Sequence, residues 1–152
     1  MPLKVERYSF SDEKAVVEFL GLAPYDNVFL THLVLSDPLA LARGALYVAH
    51  DDGALRGVAF FGRQVALAAD DEAIDAFVSL AVQHRGERMI VAPRPQVARY
   101  WSSVKRHHQP PRIVRDRQPV MMVDSSTLAA GDNRVVARQA RSDEAADVAQ
   151  HS

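Results

Sequence analysis

The chain has no cysteine. That absence excludes a disulfide scaffold, a thiolate nucleophile and any zinc site built on cysteine, and it leaves the compartment open. The chain also has almost no net charge: 18 lysines and arginines face 19 aspartates and glutamates, a formal charge of −1 at pH 7. Nucleic acid is therefore not an expected partner, because its backbone selects a basic excess. No segment approaches the run of about eighteen apolar residues that a membrane helix needs. The opening Met1-Pro2-Leu3-Lys4-Val5-Glu6-Arg7 lacks the apolar stretch of a secretory signal. The expectation is a cytoplasmic protein with no membrane partner. What is present is ordinary in amount: 152 residues, 48% apolar and 24% charged, enough for one good core.

Hydrophobic periodicity sets out the elements. Lys4 to Tyr8 alternate like a strand, and Ser11 stands as the N-cap of a helix with Val16, Phe19, Leu20 and Ala23 on one stripe and Gly21 at its end. Pro24 suits the first turn of a second helix, apolar almost all round through Val28, Phe29, Leu30, Leu33 and Val34, until Ser36-Asp37-Pro38 stops it. An antiparallel meander follows: Ala45 to His50, a turn at Asp51-Asp52-Gly53, Leu55 to Phe61, a turn at Gly62-Arg63, and Gln64 to Ala69. Asp70 and Asp71 cap a third helix with Ile74, Phe77, Val78 and Ala81 at helical spacing, closed by Gly86. Arg88 to Ala92 reads as a short buried strand, and Pro95 opens a fourth helix carrying Val97, Trp101 and Val104 that ends at Pro110-Pro111. Arg112 to Val123 is a last extended stretch, and Ser125 to Asn133, small, polar and broken by Gly131, is a linker.

The two ends of the chain nearly repeat. Val5 to Val17 and Val136 to Val148 align without a gap, with Val, Arg, Ser, Asp, Glu, Ala and Val coinciding. Both copies read as strand, turn, then a helix opened by serine and two acids, which suits the helix dipole. A duplicated unit predicts one domain over 1–124, a linker over 125–133 and the opening strand and helix of a second domain over 134–152. Chance is the plain alternative, since this is a common way to begin an αβ unit.

The order β-α-α-β-β-β-α-β-α-β fits no simple doubly wound or sandwich plan. It resembles the GNAT acyltransferases over residues 3–123, which implies an α+β, αβα-layered fold around a mixed, mostly antiparallel sheet that splays to admit the pantetheine of acetyl-CoA. More narrowly, Glu18-Phe19-Leu20 with Asp26-Asn27-Val28-Phe29-Leu30, and Arg115-Asp116-Arg117-Gln118-Pro119-Val120-Met121-Met122-Val123-Asp124, look like the uncharacterised domain that precedes the catalytic domain in bacterial tandem GNAT proteins. Arg134 to Ser152 is similar to the first strand and helix of that catalytic domain. The resemblance implies acetyl-CoA as the cofactor of the full-length protein and a C-terminal GNAT domain as intramolecular partner.

The chemistry of that family is harder to place on these residues. A GNAT domain holds the CoA pyrophosphate with Arg/Gln-x-x-Gly-x-Gly/Ala at the start of the helix after the fourth strand. The corresponding junction here is Leu67-Ala68-Ala69-Asp70-Asp71-Glu72-Ala73. It has no glycine for the tight loop, and its carboxylates repel an anion. Ala69, Asp70 and Asp71 thus make a good helix cap and a poor pyrophosphate site, and this chain is expected to bind no cofactor. Of the family's proton donor, a tyrosine on the helix after the fifth strand, Tyr100 is the candidate, although Trp101 takes the aligned position and Tyr100 is turned about 100° from it. Packing is the stronger reading of Tyr100. Glu72, Asp70, His50 and Asp51 are conceivable bases, and each is read more simply as a solvated turn or cap residue.

Other groupings are weaker. His107 and His108 are adjacent, diverge on a helix and have no third ligand at zinc spacing, so no metal is expected. Lys105, Arg106, His107, His108, Arg112, Arg115 and Arg117 could meet a polyanion or an acidic protein surface, but at a helix C-terminus they also complement the dipole. Ser102-Ser103 and Ser125-Ser126 form no serine triad that sequence can certify. The expectation is the degenerate, non-catalytic N-terminal half of a GNAT N-acetyltransferase. A stand-alone binding or interaction module and a complete acetyltransferase with an atypical CoA loop are the alternatives. A strand Val135 to Arg138 without its own sheet leaves a homodimer open as a further partner.

Overall fold

The computed structural model describes residues 3–84, 89–115, 117–121 and 126. The chain divides into two compact units, Met1–Val120 and Met121–Ser152. Of the second unit only Met121 and Ser126 are described, so the expected linker and the repeat at 134–152 lie outside the described residues.

The first unit is an α+β structure around a five-stranded mixed sheet. The strands β1 (Lys4–Arg7), β2 (Ala45–Asp51), β3 (Ala54–Phe61), β4 (Gln64–Ala69) and β5 (Met89–Val91) lie in chain order across the sheet. The first three pairings are antiparallel and β4 pairs β5 in parallel. Five helices cover it: α1 (Glu13–Leu20), α2 (Val28–Ser36), α3 (Pro38–Arg43), α4 (Asp71–Ala81) and α5 (Arg94–Val104). The period-2 alternation of the meander divides its side chains between two cores. Leu46, Val48, Val58, Phe60, Ala66 and Ala68 face α1 and α2 through Val16, Leu20, Leu30 and Leu33. Ala49, Ala59, Phe61, Val65 and Leu67 face α4 and α5 through Ile74, Phe77, Ala81, Tyr100 and Val104.

Local chemistry explains the connections and corrects several expectations. The turn at Asp52-Gly53 has φ of 47° and 84° at its two central residues, the twist that joins antiparallel strands through two residues. The helical start after β1 is not capped by Ser11. The amide of Ser9 donates to Oδ2 of Asp12 at 2.8 Å across a 3-10 turn, Phe10–Asp12, and α1 follows at Glu13. Pro24 does not open α2, which begins at Val28. Buried Asn27 instead donates from Nδ2 to the carbonyl of Leu20 at 3.0 Å, satisfying an orphan acceptor at the end of α1. Asp37-Pro38 stops α2 as expected and then starts α3, because Oδ1 of Asp37 accepts from the Ala40 amide and Pro38 needs no donor at the first turn. The observed order therefore has three helices before the meander.

Two corrections bear on function. The strand expected to be buried over Arg88–Ala92 covers three residues with no further strand beside it among the described residues, Met89 is 53% and Val91 42% exposed, and Arg88 lies outside the described residues. The stretch expected to be a closing strand, Arg112 to Val123, joins no sheet among its described residues. Gly86, expected to close α4, is outside the described residues, and α4 ends at Ala81.

Candidate functional site where β4 and β5 diverge

Among the described residues the two parallel strands pair at Gln64 with Met89, Val65 with Ile90 and Ala66 with Val91. β4 continues to Ala69, whereas the chain after β5 reaches Pro93 and turns into α5. Proline has no N–H with which to continue a ladder, so the strands part there. In the gap, Gln96 in the first turn of α5 places Oε1 3.3 Å from the amide of Ala69, which donates to it. A side chain takes the place of the missing strand.

At the end of β4 the chain enters α4 through Asp70, whose Oδ1 accepts from the Ala73 amide at 2.9 Å. Its Oδ2 accepts from Nε of Arg56 at 2.5 Å. Arg56 also reaches Oδ2 of Asp51 at 3.1 Å and Oε2 of Glu72 at 3.5 Å. A bulge aims it there: Ala49 pairs Gly57 while His50 pairs Leu55, leaving Arg56 unpaired on β3. The slip also changes the face of the strand, so Leu55 packs with the α1–α2 core while Ala59 and Phe61 pack with the α4–α5 core. Burial by itself would push the Asp70 carboxyl up, but the Ala73 amide and then the Arg56 guanidinium outweigh it and hold Asp70 below the usual carboxylate range. Arg56 is correspondingly pushed up, first by its hydrogen bond to Asp70. On the other flank Arg99 of α5 bridges Oδ2 of Asp71 at 3.0 Å and both carboxylate oxygens of Asp75. The α4 start thus sets two guanidiniums against five carboxylates.

These contacts decide what the junction can hold. A pyrophosphate at a helix start needs free amides and a positive field. Here the Asp70 carboxylate already occupies the Ala73 amide, and the surrounding charge has the same sign as the ligand. The residues at the junction do not fit the acetyl-CoA pyrophosphate that the resemblance implies. Ala69, Asp70 and Asp71 are together as the sequence places them, and they form a closed cap.

The remaining candidates are dispersed. Tyr100 is 1% exposed and sits in the α4–α5 core with Phe61 and Phe77, so it faces packing. Trp101 lies beside it, half-buried against the His108 ring. His50 lies on β2 and Asp51 at its end, the latter tied to Arg56. Ser102 and Ser103 donate back to the Arg99 carbonyl within α5. Among the described residues no group of three His, Cys, Asp or Glu could hold a metal ion, and no helix is long and apolar enough to cross a membrane. Sequence reasoning missed Arg56, Gln96 and Arg99. Gly57 inside a strand pattern was a signal for the bulge that directs Arg56; Gln96 and Arg99 act across the fold and carried no local signal. On the opposite side of the sheet, α1 and α2 border an open groove of about 460 Å³ lined by Val17, Pro24, Val28, His32 and Leu35.

Residues 44–148 match the model of a family described as a domain of unknown function (DUF4081), and the chain belongs to that family. The matched region takes in β2 to α5 and continues to Val148. No curated protein matches the chain.

Proposed function

We propose that this chain is the degenerate, non-catalytic N-terminal half of a GNAT-type, acetyl-CoA-dependent N-acetyltransferase, with acetyl transfer to an amine carried by a second GNAT domain that begins near Arg134. The observation that carries the reading is the α4 junction on a sheet whose parallel strands part. The divergence of β4 and β5 is compatible with a GNAT-like sheet, while the Asp70 cap and the excess of carboxylates remove the means of holding the cofactor there. The near-repeat of Val5 to Val17 at Val136 to Val148 supports a second unit of the same kind. The domain then serves by shaping or covering its neighbour's site.

Isothermal titration of the chain with acetyl-CoA, with CoA and a non-nucleotide thioester as controls, tests this. The expected result is no heat at millimolar cofactor. Binding in the micromolar range, worth about 8 kcal/mol, would overturn it and make the domain a working cofactor site. A second reading, an interaction module, is favoured by the exposed apolar side chains Val28 and Leu35 that line the α1–α2 groove.

A further inference from the structure

Charge is segregated along this nearly neutral chain. Residues 51–75 carry six acids and two arginines, whereas residues 94–120 carry seven lysines or arginines and one acid, Asp116. Five of these six acids gather at the start of α4 and exceed the two guanidiniums that meet them. In the second stretch Arg112, Arg115 and Arg117 lie on an arm that follows Pro110-Pro111 and forms no helix or strand among its described residues. Its described residues between 112 and 120 make no hydrogen bond or ion pair. The arm is also apolar and uncovered: Ile113 and Val114 are each 73% exposed and Val120 is 62% exposed. Next to α5 the sheet ends at β5, an edge on which Met89 and Val91 are exposed and beside which no strand lies among the described residues. An open edge and an exposed apolar segment outside any helix each favour strand addition.

We propose that the arm 112–120 of one copy of this chain adds as a strand to the β5 edge of a second copy, reciprocally, with its arginines meeting the acidic rim at that copy's α4 start. Charge complementarity selects the occupant. A strand added to β5 lies about 10 Å from β4, within reach of an arginine side chain to the rim beyond Ala69. The prolines at 110 and 111 favour extended backbone at the start of the arm. Reciprocal exchange gives a closed two-fold pair, in which Val114, on the face of the added strand opposite Arg115 and Arg117, covers Met89 and Val91. The inference is independent of any acetyltransferase reading.

Sedimentation velocity of the 152-residue chain tests it. The expected result is a dimer that strengthens with protein concentration and weakens about tenfold between roughly 0.05 M and 0.5 M salt, as surface charges are screened. The triple variant Arg112→Glu, Arg115→Glu, Arg117→Glu is expected to be monomeric, and so is Asp71→Lys with Glu72→Lys, both with unchanged circular dichroism. An equimolar mixture of the two variants restores the dimer, because each arm then meets a rim of opposite sign. A monomer at every concentration overturns the proposal. So does a dimer indifferent to the arm reversal, or slow amide exchange of 112–120 in a monomer, which would place the arm on its own chain's edge.

Discussion

Gly57 shows how much one missing side chain decides. A Cβ there would lie 2.7 Å from the Cβ of Ala69 and 2.8 Å from that of Ala73, atoms fixed to β4 and α4 that cannot swing aside. Gly57→Ala is expected to destabilise the fold by about 1–3 kcal/mol through overpacking, read from the midpoint of denaturant unfolding. Tyr8 makes the opposite case. Its hydroxyl is buried with no hydrogen-bond partner among the described residues, and burial, then Glu13 and Asp12, push its pKa up. A raised acid in the folded state favours folding below the ordinary tyrosine value near 10, and that stability is lost as pH rises through the higher folded value. Tyr8→Phe removes an unpaired hydroxyl, and is expected to raise stability by up to about 1 kcal/mol and to flatten the alkaline limb of a melting-temperature profile. Tyr100, which sequence reads as packing first and as a weak candidate proton donor second, sits in the core. Tyr100→Ala is expected to cost about 3–5 kcal/mol, the magnitude of an aromatic truncation, measured in the same way.

At the scale of elements, the strands of the meander were legible because alternation, turn residues and short length coincide there. Gln64–Ala69 agrees with the sequence reading residue for residue, and the Asp52-Gly53 turn is where the dipeptide places it. The start of α4 was legible for a similar reason, since Asp70 followed by two acids is a cap in any context. Asp70→Ala is expected to cost about 1 kcal/mol from the lost cap, with little added from Arg56 because both side chains are more than one third exposed. The folded carboxyl lies below its unfolded value, so this contribution is present above about pH 4 and disappears as pH falls through the folded value. Wild type and Asp70→Asn should therefore differ in melting temperature at neutral pH and converge on acidification. What local pattern could not show is the bulge. Leu55 continues the alternation of Ala59 and Phe61 on paper, yet an unpaired Arg56 moves it to the other face, and only the pairing of β2 with β3 reveals the slip.

For the whole molecule, sequence by itself determined the class of structure: α+β, helices then an antiparallel meander then alternating helix and strand, with an acidic cap at the start of α4. These features are local, written in periods of 2 and 3.6, in turn dipeptides and in capping residues, and they hold wherever the segment lies. Only tertiary structure decided how the sheet ends. Whether β5 is a covered centre or an exposed edge depends on what pairs beside it, and a Met-Ile-Val run is compatible with either. Whether Tyr100 faces a cleft or a core depends on the angle at which α5 crosses the sheet, and a shift of one residue on a helix turns a side chain by about 100°. The contact of Gln96 with the Ala69 amide, 27 residues apart, exists only because Pro93 parts two strands and α5 fills the gap. Propensity acts over a few residues, whereas the edge of a sheet, the depth of a side chain and the charge around a helix start are sums over segments far apart in the chain.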